Sequence, residues 1–87
     1  MENQTTTETP SFSNETLAEI RKSEGELIRI AKTEFKGGKY IDIRLFYEPK
    51  DGGAYLPTRK GLALKEDLFL AFAEAIRKVE QTISQNV

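Results

Sequence analysis

The run "YIDIRLFY", residues 40–47, alternates without a break: Ile41, Ile43, Leu45 and Tyr47 fall on one side, Tyr40, Asp42, Arg44 and Phe46 on the other. A period of two fits a strand with one buried face and no other regular element. Further along, "LKEDLFLAFAEAIRKVEQTI" changes to helical spacing, with Leu68, Phe72, Ala75, Ile76, Val79 and Ile83 on one stripe and Phe69, Leu70 and Ala73 widening it. Glu66 and Asp67 open that helix and Arg77 and Lys78 come late, in agreement with the macrodipole. A sheet followed by a helix on a chain of 87 residues leaves room for one layer of each.

The rest of the sheet is read from turn chemistry. "ELIRIAK", starting at Glu26, is apolar and β-branched, and Gly37 and Gly38 of "FKGGK" supply a tight hairpin into the alternating run. "EPKDGGAY" is a second turn, after which a short strand around Ala54–Pro57 and another over Gly61–Leu64 complete the set. The expected fold is therefore α+β: a four-stranded antiparallel curved sheet followed by one C-terminal helix. Residues 1–24 are expected to be an acidic, largely disordered tail with a short helix over 14–22, and residues 25–84 the folded domain. The helix carries more apolar surface than one small sheet can cover. That surplus predicts a homodimer through helix and sheet, with Leu68, Phe72, Ile76 and Val79 at the interface.

Composition narrows the chemistry. The chain has no histidine and no cysteine, which removes thiolate chemistry, disulfides and the usual neutral-pH base. No acidic pair has a spacing suited to acid–base catalysis or a metal, and no phosphate-cradling glycine loop is present. The reading is a soluble, non-enzymatic protein without cofactor or membrane span. Net charge is −1, but it is segregated: residues 1–28 hold two Lys/Arg against six Asp/Glu, residues 29–65 nine against four, and residues 66–87 two against four. A basic middle between acidic ends suits an anionic partner better than the total suggests. The acidic head is also a candidate competitor that folds back over the basic middle.

Within that middle, cations interleave with rings: Phe35 and Lys36 before the hairpin turn, Lys39 and Tyr40 after it, Arg44, Phe46 and Tyr47 on the alternating strand, and Tyr55, Arg59 and Lys60 beyond the second turn. Such a mixture holds single-stranded nucleic acid, because cations follow phosphates while rings stack on unpaired bases. In "YLPTRKG" the adjacent Arg59 and Lys60 point to opposite faces if the segment is plainly extended, so aiming both at one phosphate track requires a turn or bulge.

The runs "EFKGGKYIDIRLFYE" and "LPTRKGLALKEDLFLAFAEAI", separated by a glycine-rich turn, resemble the positive cofactor four family of transcriptional coactivators over roughly residues 25–83. The resemblance implies a dimeric domain whose β-ridges bind single-stranded or melted DNA with little sequence preference. It implies contacts at Phe35, Lys36, Lys39, Arg44, Tyr47, Pro57, Arg59, Lys60 and Gly61. Gly38 stands where the family usually has a second lysine, Tyr47 where it has a tryptophan, Leu56 where a lysine precedes the proline, and Lys65 where an asparagine caps the helix. RNA is the alternative ligand, and a protein-interaction module serving the transcription machinery the alternative function. A bacterial or phage protein of the cytoplasm is expected, nuclear if the source is eukaryotic.

Overall fold

The structure, a computed structural model, describes residues 12–85. Strands β1 (Phe12–Ser23), β2 (Glu26–Phe35), β3 (Gly38–Tyr47) and β4 (Leu56–Lys65) lead directly into helix α1 (Glu66–Gln85). The strands form one antiparallel sheet in the order β1-β2-β3-β4. The α+β architecture is as expected from the sequence, and β3 is the alternating run.

Three assignments are corrected. Residues 14–22 are the body of β1 and not a helix, so the folded part of the chain starts well ahead of residue 25. The Leu17–Ile20 spacing imitates a helix because the β1–β2 register shifts between Thr16 and Ala18. Leu17, at that irregularity, borders Ile41, Phe69 and Leu70, and Ile20 lies opposite Ile28, so both sit on the α1 side of the sheet. A strand with a bulge can thus place residues three apart on one face. The portion of the head before residue 12 lies outside the described residues; residues 12–23 are fixed in the sheet and do not fold back over it. Next, the two short strands expected over 54–57 and 61–64 are one ten-residue strand, β4, interrupted by a bulge. Finally, α1 runs far enough past Arg77 and Lys78 that its last turn holds no basic residue.

The β2–β3 turn is also shifted by one residue. Phe35 pairs with Gly38, so the two central residues are Lys36 (φ 51°) and Gly37 (φ 81°). Positive φ at both is the type I′ geometry that matches the twist of a hairpin. A lysine in the left-handed region is disfavoured by about 1–2 kcal/mol relative to right-handed backbone.

The α1 side of the sheet collects Ile28, Ile30, Ile41, Ile43, Leu45, Leu62 and Leu64 by register. Helix α1 covers only the β3–β4 half of it. Ile41 is buried there, and the Phe69 and Phe72 rings meet at 6.5 Å between centroids. Among the described residues only Ala31 and Ile41 are buried hydrophobics, each 8% exposed. Leu17 and Ile20 on the sheet, and Leu68, Leu70, Ile76, Val79 and Ile83 on the helix, stay more than half exposed. The described residues of one copy leave the apolar layer half uncovered.

Candidate nucleic-acid interface

The opposite side of the sheet holds a cleft of about 580 Å³. Register explains its lining. Arg29 faces Arg44, Ala31 faces Asp42 and Thr33 faces Tyr40 across β2–β3, while Pro57 faces Phe46 across β3–β4. Phe35 stands toward the hairpin end of this cleft and Phe46 and Pro57 toward the other. From Gly38 to Leu45 the distance along β3 is roughly 24 Å, at about 3.4 Å per residue. The surface is a trough with a ring near each end.

Beside the Phe46 end the β4 strand leaves regular pairing. Arg44 pairs with Gly61 and Phe46 with Pro57, so Leu45 alone faces Thr58, Arg59 and Lys60. The bulge has an internal pin. The Thr58 hydroxyl donates to the Leu45 carbonyl (2.9 Å) and its oxygen accepts from the Lys60 amide (3.0 Å). A hydroxyl bonded two residues ahead closes a small turn within the strand. Arg44 reinforces the bulge from β3, its Nη1 donating to the Thr58 carbonyl at 3.1 Å. Gly61 lets the strands close up again: a Cβ there would lie 2.5 Å from the Ile43 carbonyl oxygen and 2.9 Å from the Arg44 Cα. The sequence expectation that Arg59 and Lys60 need a bulge is met, and both side chains are exposed.

Charge pairing separates the cations into two groups. Arg44 is clamped by Asp42 through Nε (3.0 Å) and Nη2 (2.9 Å). This hydrogen-bonded carboxylate raises the guanidinium pKa above its ordinary value, against a smaller opposing effect of burial. Arg29 is bonded to Glu19 and lies over the Phe46 ring. By contrast, Lys36, Lys39, Arg59 and Lys60 are exposed, and among the described residues none of them enters an ion pair. Lys36 lies 5.3 Å from the Phe35 ring centroid, which brings the cation and ring of the hairpin end together. At the far end Lys60 adds to the lowering of the Glu26 pKa, a smaller effect than the Ser23 hydroxyl and Lys22.

The expected contact residues therefore divide. Phe35, Arg44 and Pro57 line the cleft, Lys36 sits at one end of it, and Arg59, Lys60 and Gly61 form or follow the bulge at the other. Lys39 and Tyr47 are not brought into the cleft. By alternation both share the α1 side with Ile41 and Ile43, Lys39 opposite Glu34 and Tyr47 at the strand end opposite Leu56. Of these two neighbouring rings, Phe46 and not Tyr47 lines the cleft. Sequence reasoning left Arg29 out of the site; its only signal was an isolated cation within the apolar "ELIRIAK" run.

A family model described as Transcriptional Coactivator p15 (PC4) matches residues 22–75. The chain belongs to this family. The match contains the hairpin, the bulge and the part of the cleft built by β2, β3 and β4, whereas Asn14 and Thr16 of β1, which also line the cleft, precede it. The PC4 homolog BPSL1147 of Burkholderia pseudomallei, in its tetragonal crystal form, superimposes with a TM-score of 0.71 at 29% identity, covering 78% of this chain and 98% of that one. Its orthorhombic form gives the same TM-score and identity, with 78% and 90% covered. A bacteriophage T5 homolog of the eukaryotic coactivator PC4, implicated in recombination-dependent DNA replication, shares the fold with a TM-score of 0.56 at 22% identity, over 84% of this chain and 90% of that one. No curated relative matches the chain significantly.

Proposed function

We propose that the protein binds single-stranded or locally melted DNA with little sequence preference, as a homodimer, and acts by binding and not by catalysis. The observation that carries this reading is the Arg59–Lys60 bulge: two exposed cations, without ion-pair partners among the described residues, are held by the Thr58 pin beside a ring-lined trough. A phosphate chain along the trough meets Arg59 and Lys60 at one end and Lys36 at the other. Phe35 and Pro57 offer flat surfaces to unpaired bases at the two ends of the cleft. A single strand fits such a track because its bases turn freely toward the rings, whereas a duplex keeps them stacked inside. Arg44 supports this surface through the Thr58 carbonyl, its charge largely answered by Asp42.

Dimerisation is supported by the uncovered apolar layer. Leu68, Ile76 and Val79 of the expected interface are exposed and Phe72 is half-buried beside Phe69. Covering the five exposed helix side chains in each of two copies, at about 1 kcal/mol for the exposed half of each, yields roughly 10 kcal/mol. That is comparable to the estimated 4–15 kcal/mol cost of association. A role in transcription, replication or repair inside a bacterial or phage-infected cell is the reading that membership of the PC4 family and the bacterial source of a solved homolog support.

The test is fluorescence anisotropy with an unstructured labelled oligonucleotide and a matched duplex. Wild-type protein is expected to prefer the single strand, and the Arg59→Ala/Lys60→Ala double variant to lose about tenfold or more in affinity, with a flatter salt dependence. Equal binding by the double variant would remove the basis of the assignment. Equal binding of an RNA strand of the same sequence would broaden the ligand to single-stranded nucleic acid in general.

A further inference from the structure

Arg29 and Arg44 stand directly opposite each other across β2–β3, on the cleft side of the sheet. Like charges in that position repel, and each is answered by a carboxylate. The two answers are unequal. Asp42 holds Arg44 with two bonds, and the two side chains are 19% and 24% exposed. Glu19 holds Arg29 with one bond, Nε to Oε2 at 2.7 Å, and is 42% exposed on the edge strand β1. Arg29 does not depend on Glu19 alone for its position, because its guanidinium carbon lies 4.2 Å from the centroid of the Phe46 ring. Among the described residues no other hydrogen bond engages this guanidinium.

A guanidinium that rests on a ring and is capped by one half-exposed carboxylate has the elements of a phosphate site. Its planar fork accepts carboxylate and phosphate in the same geometry. We propose that Arg29 is a phosphate-binding residue on the floor of the cleft, held in place by Phe46 and latched by Glu19, which a nucleic-acid phosphate displaces. The inference rests on the single-strand reading and adds a residue and a regulating contact to it. Asp42 stays where it is, since moving it would also release Arg44 from the bulge. Glu19 acts as an internal stand-in for phosphate, so it lowers affinity for any anionic ligand of the cleft while suppressing the repulsion between the two arginines in the free protein.

Removing the stand-in raises affinity. Glu19→Gln is expected to bind an unstructured thymidine oligonucleotide about two- to fivefold more tightly, the range open to a half-exposed ion pair. Arg29→Gln is expected to bind more weakly. The direct readout is the Arg29 Nε–H cross-peak in ¹⁵N-labelled protein, titrated with the oligonucleotide and separately with tripolyphosphate, a polyanion without bases. Support is a shift of this peak with the oligonucleotide together with tighter binding by Glu19→Gln. If the wild type binds the oligonucleotide while the peak stays still and Glu19→Gln binds equally or more weakly, the latch is refuted and the single-strand reading stands. If the oligonucleotide does not bind at all, the single-strand reading fails. Tripolyphosphate then decides: a shift larger in Glu19→Gln than in wild type upholds the latch, and no shift refutes it.

Discussion

Thr58→Val removes the pin of the bulge while keeping the volume of the side chain. Two hydrogen bonds are lost, to the Leu45 carbonyl at 2.9 Å and from the Lys60 amide at 3.0 Å. A net contribution of about 1 kcal/mol applies to a typical bond of this kind, less where water can replace the partner. Lys60 is exposed and its amide can turn to water, whereas the bond between Thr58 and Leu45 is partly buried. The loss is therefore about 1–2 kcal/mol, which for a domain of this size lowers Tm by roughly 4–16 °C. Because dimerisation makes Tm concentration-dependent, variants are compared by circular dichroism at one protein concentration. Affinity for single-stranded DNA is expected to fall about three- to tenfold, since Arg59 and Lys60 lose their common aim, a loss that corresponds to roughly one phosphate contact. Thr58→Ser keeps the hydroxyl and is expected to restore binding. The reasoning is refuted if Thr58→Val binds DNA like wild type, or if Thr58→Ser is as impaired as Thr58→Val, which would assign the effect to the lost methyl group.

The remaining expectations concern the strand closure, the hairpin and the dimer. Gly61→Ala puts a Cβ 2.5 Å from the Ile43 carbonyl oxygen, so β3 and β4 must part; a destabilisation of about 2 kcal/mol or more is expected in urea unfolding, and wild-type stability would contradict the close approach. Lys36→Gly relieves a lysine at φ 51° and is expected to stabilise the fold by about 0.5–1 kcal/mol, while binding weakens through the lost cation. Greater stability with undiminished binding would show that Lys36 touches no phosphate. Val79→Asp places a charge within the exposed apolar stripe of α1 and is expected to give a monomer in sedimentation equilibrium; a persistent dimer would move the interface off the helix.

What could be read in advance depended on whether one residue pattern had one structural meaning. The strict alternation of "YIDIRLFY" and the helical stripe from Leu68 to Ile83 each admit a single regular element, and both appear as expected. Leu17 and Ile20 did not, because a three-residue apolar spacing arises either from a helix or from a strand with a bulge between the two positions. Only the pairing partner, β2, decides in favour of the strand. The glycine pair in "FKGGK" announced a turn without its frame; Phe35 opposite Gly38 sets the frame and places Lys36 in the left-handed region. The adjacency of Arg59 and Lys60 demanded a bulge for reasons of alternation, and the bulge is present. Its pin was not legible, since a threonine between proline and arginine has no distinctive local signature. Arg29 was missed for a related reason: its importance lies in facing Arg44 and Phe46 across the sheet, a relation that exists only once the register is known.

The central claim is that exposed cations without ion-pair partners among the described residues, set along a ring-lined trough, bind the backbone of a single strand. It is tested most directly by the slope of log K against log salt for an unstructured oligonucleotide. With Lys36, Arg59 and Lys60 each neutralising one phosphate, the slope per protomer is expected to be about −2, at roughly −0.7 per contact on a single strand. A slope near zero, or no binding at low micromolar protein and low salt, would contradict the claim.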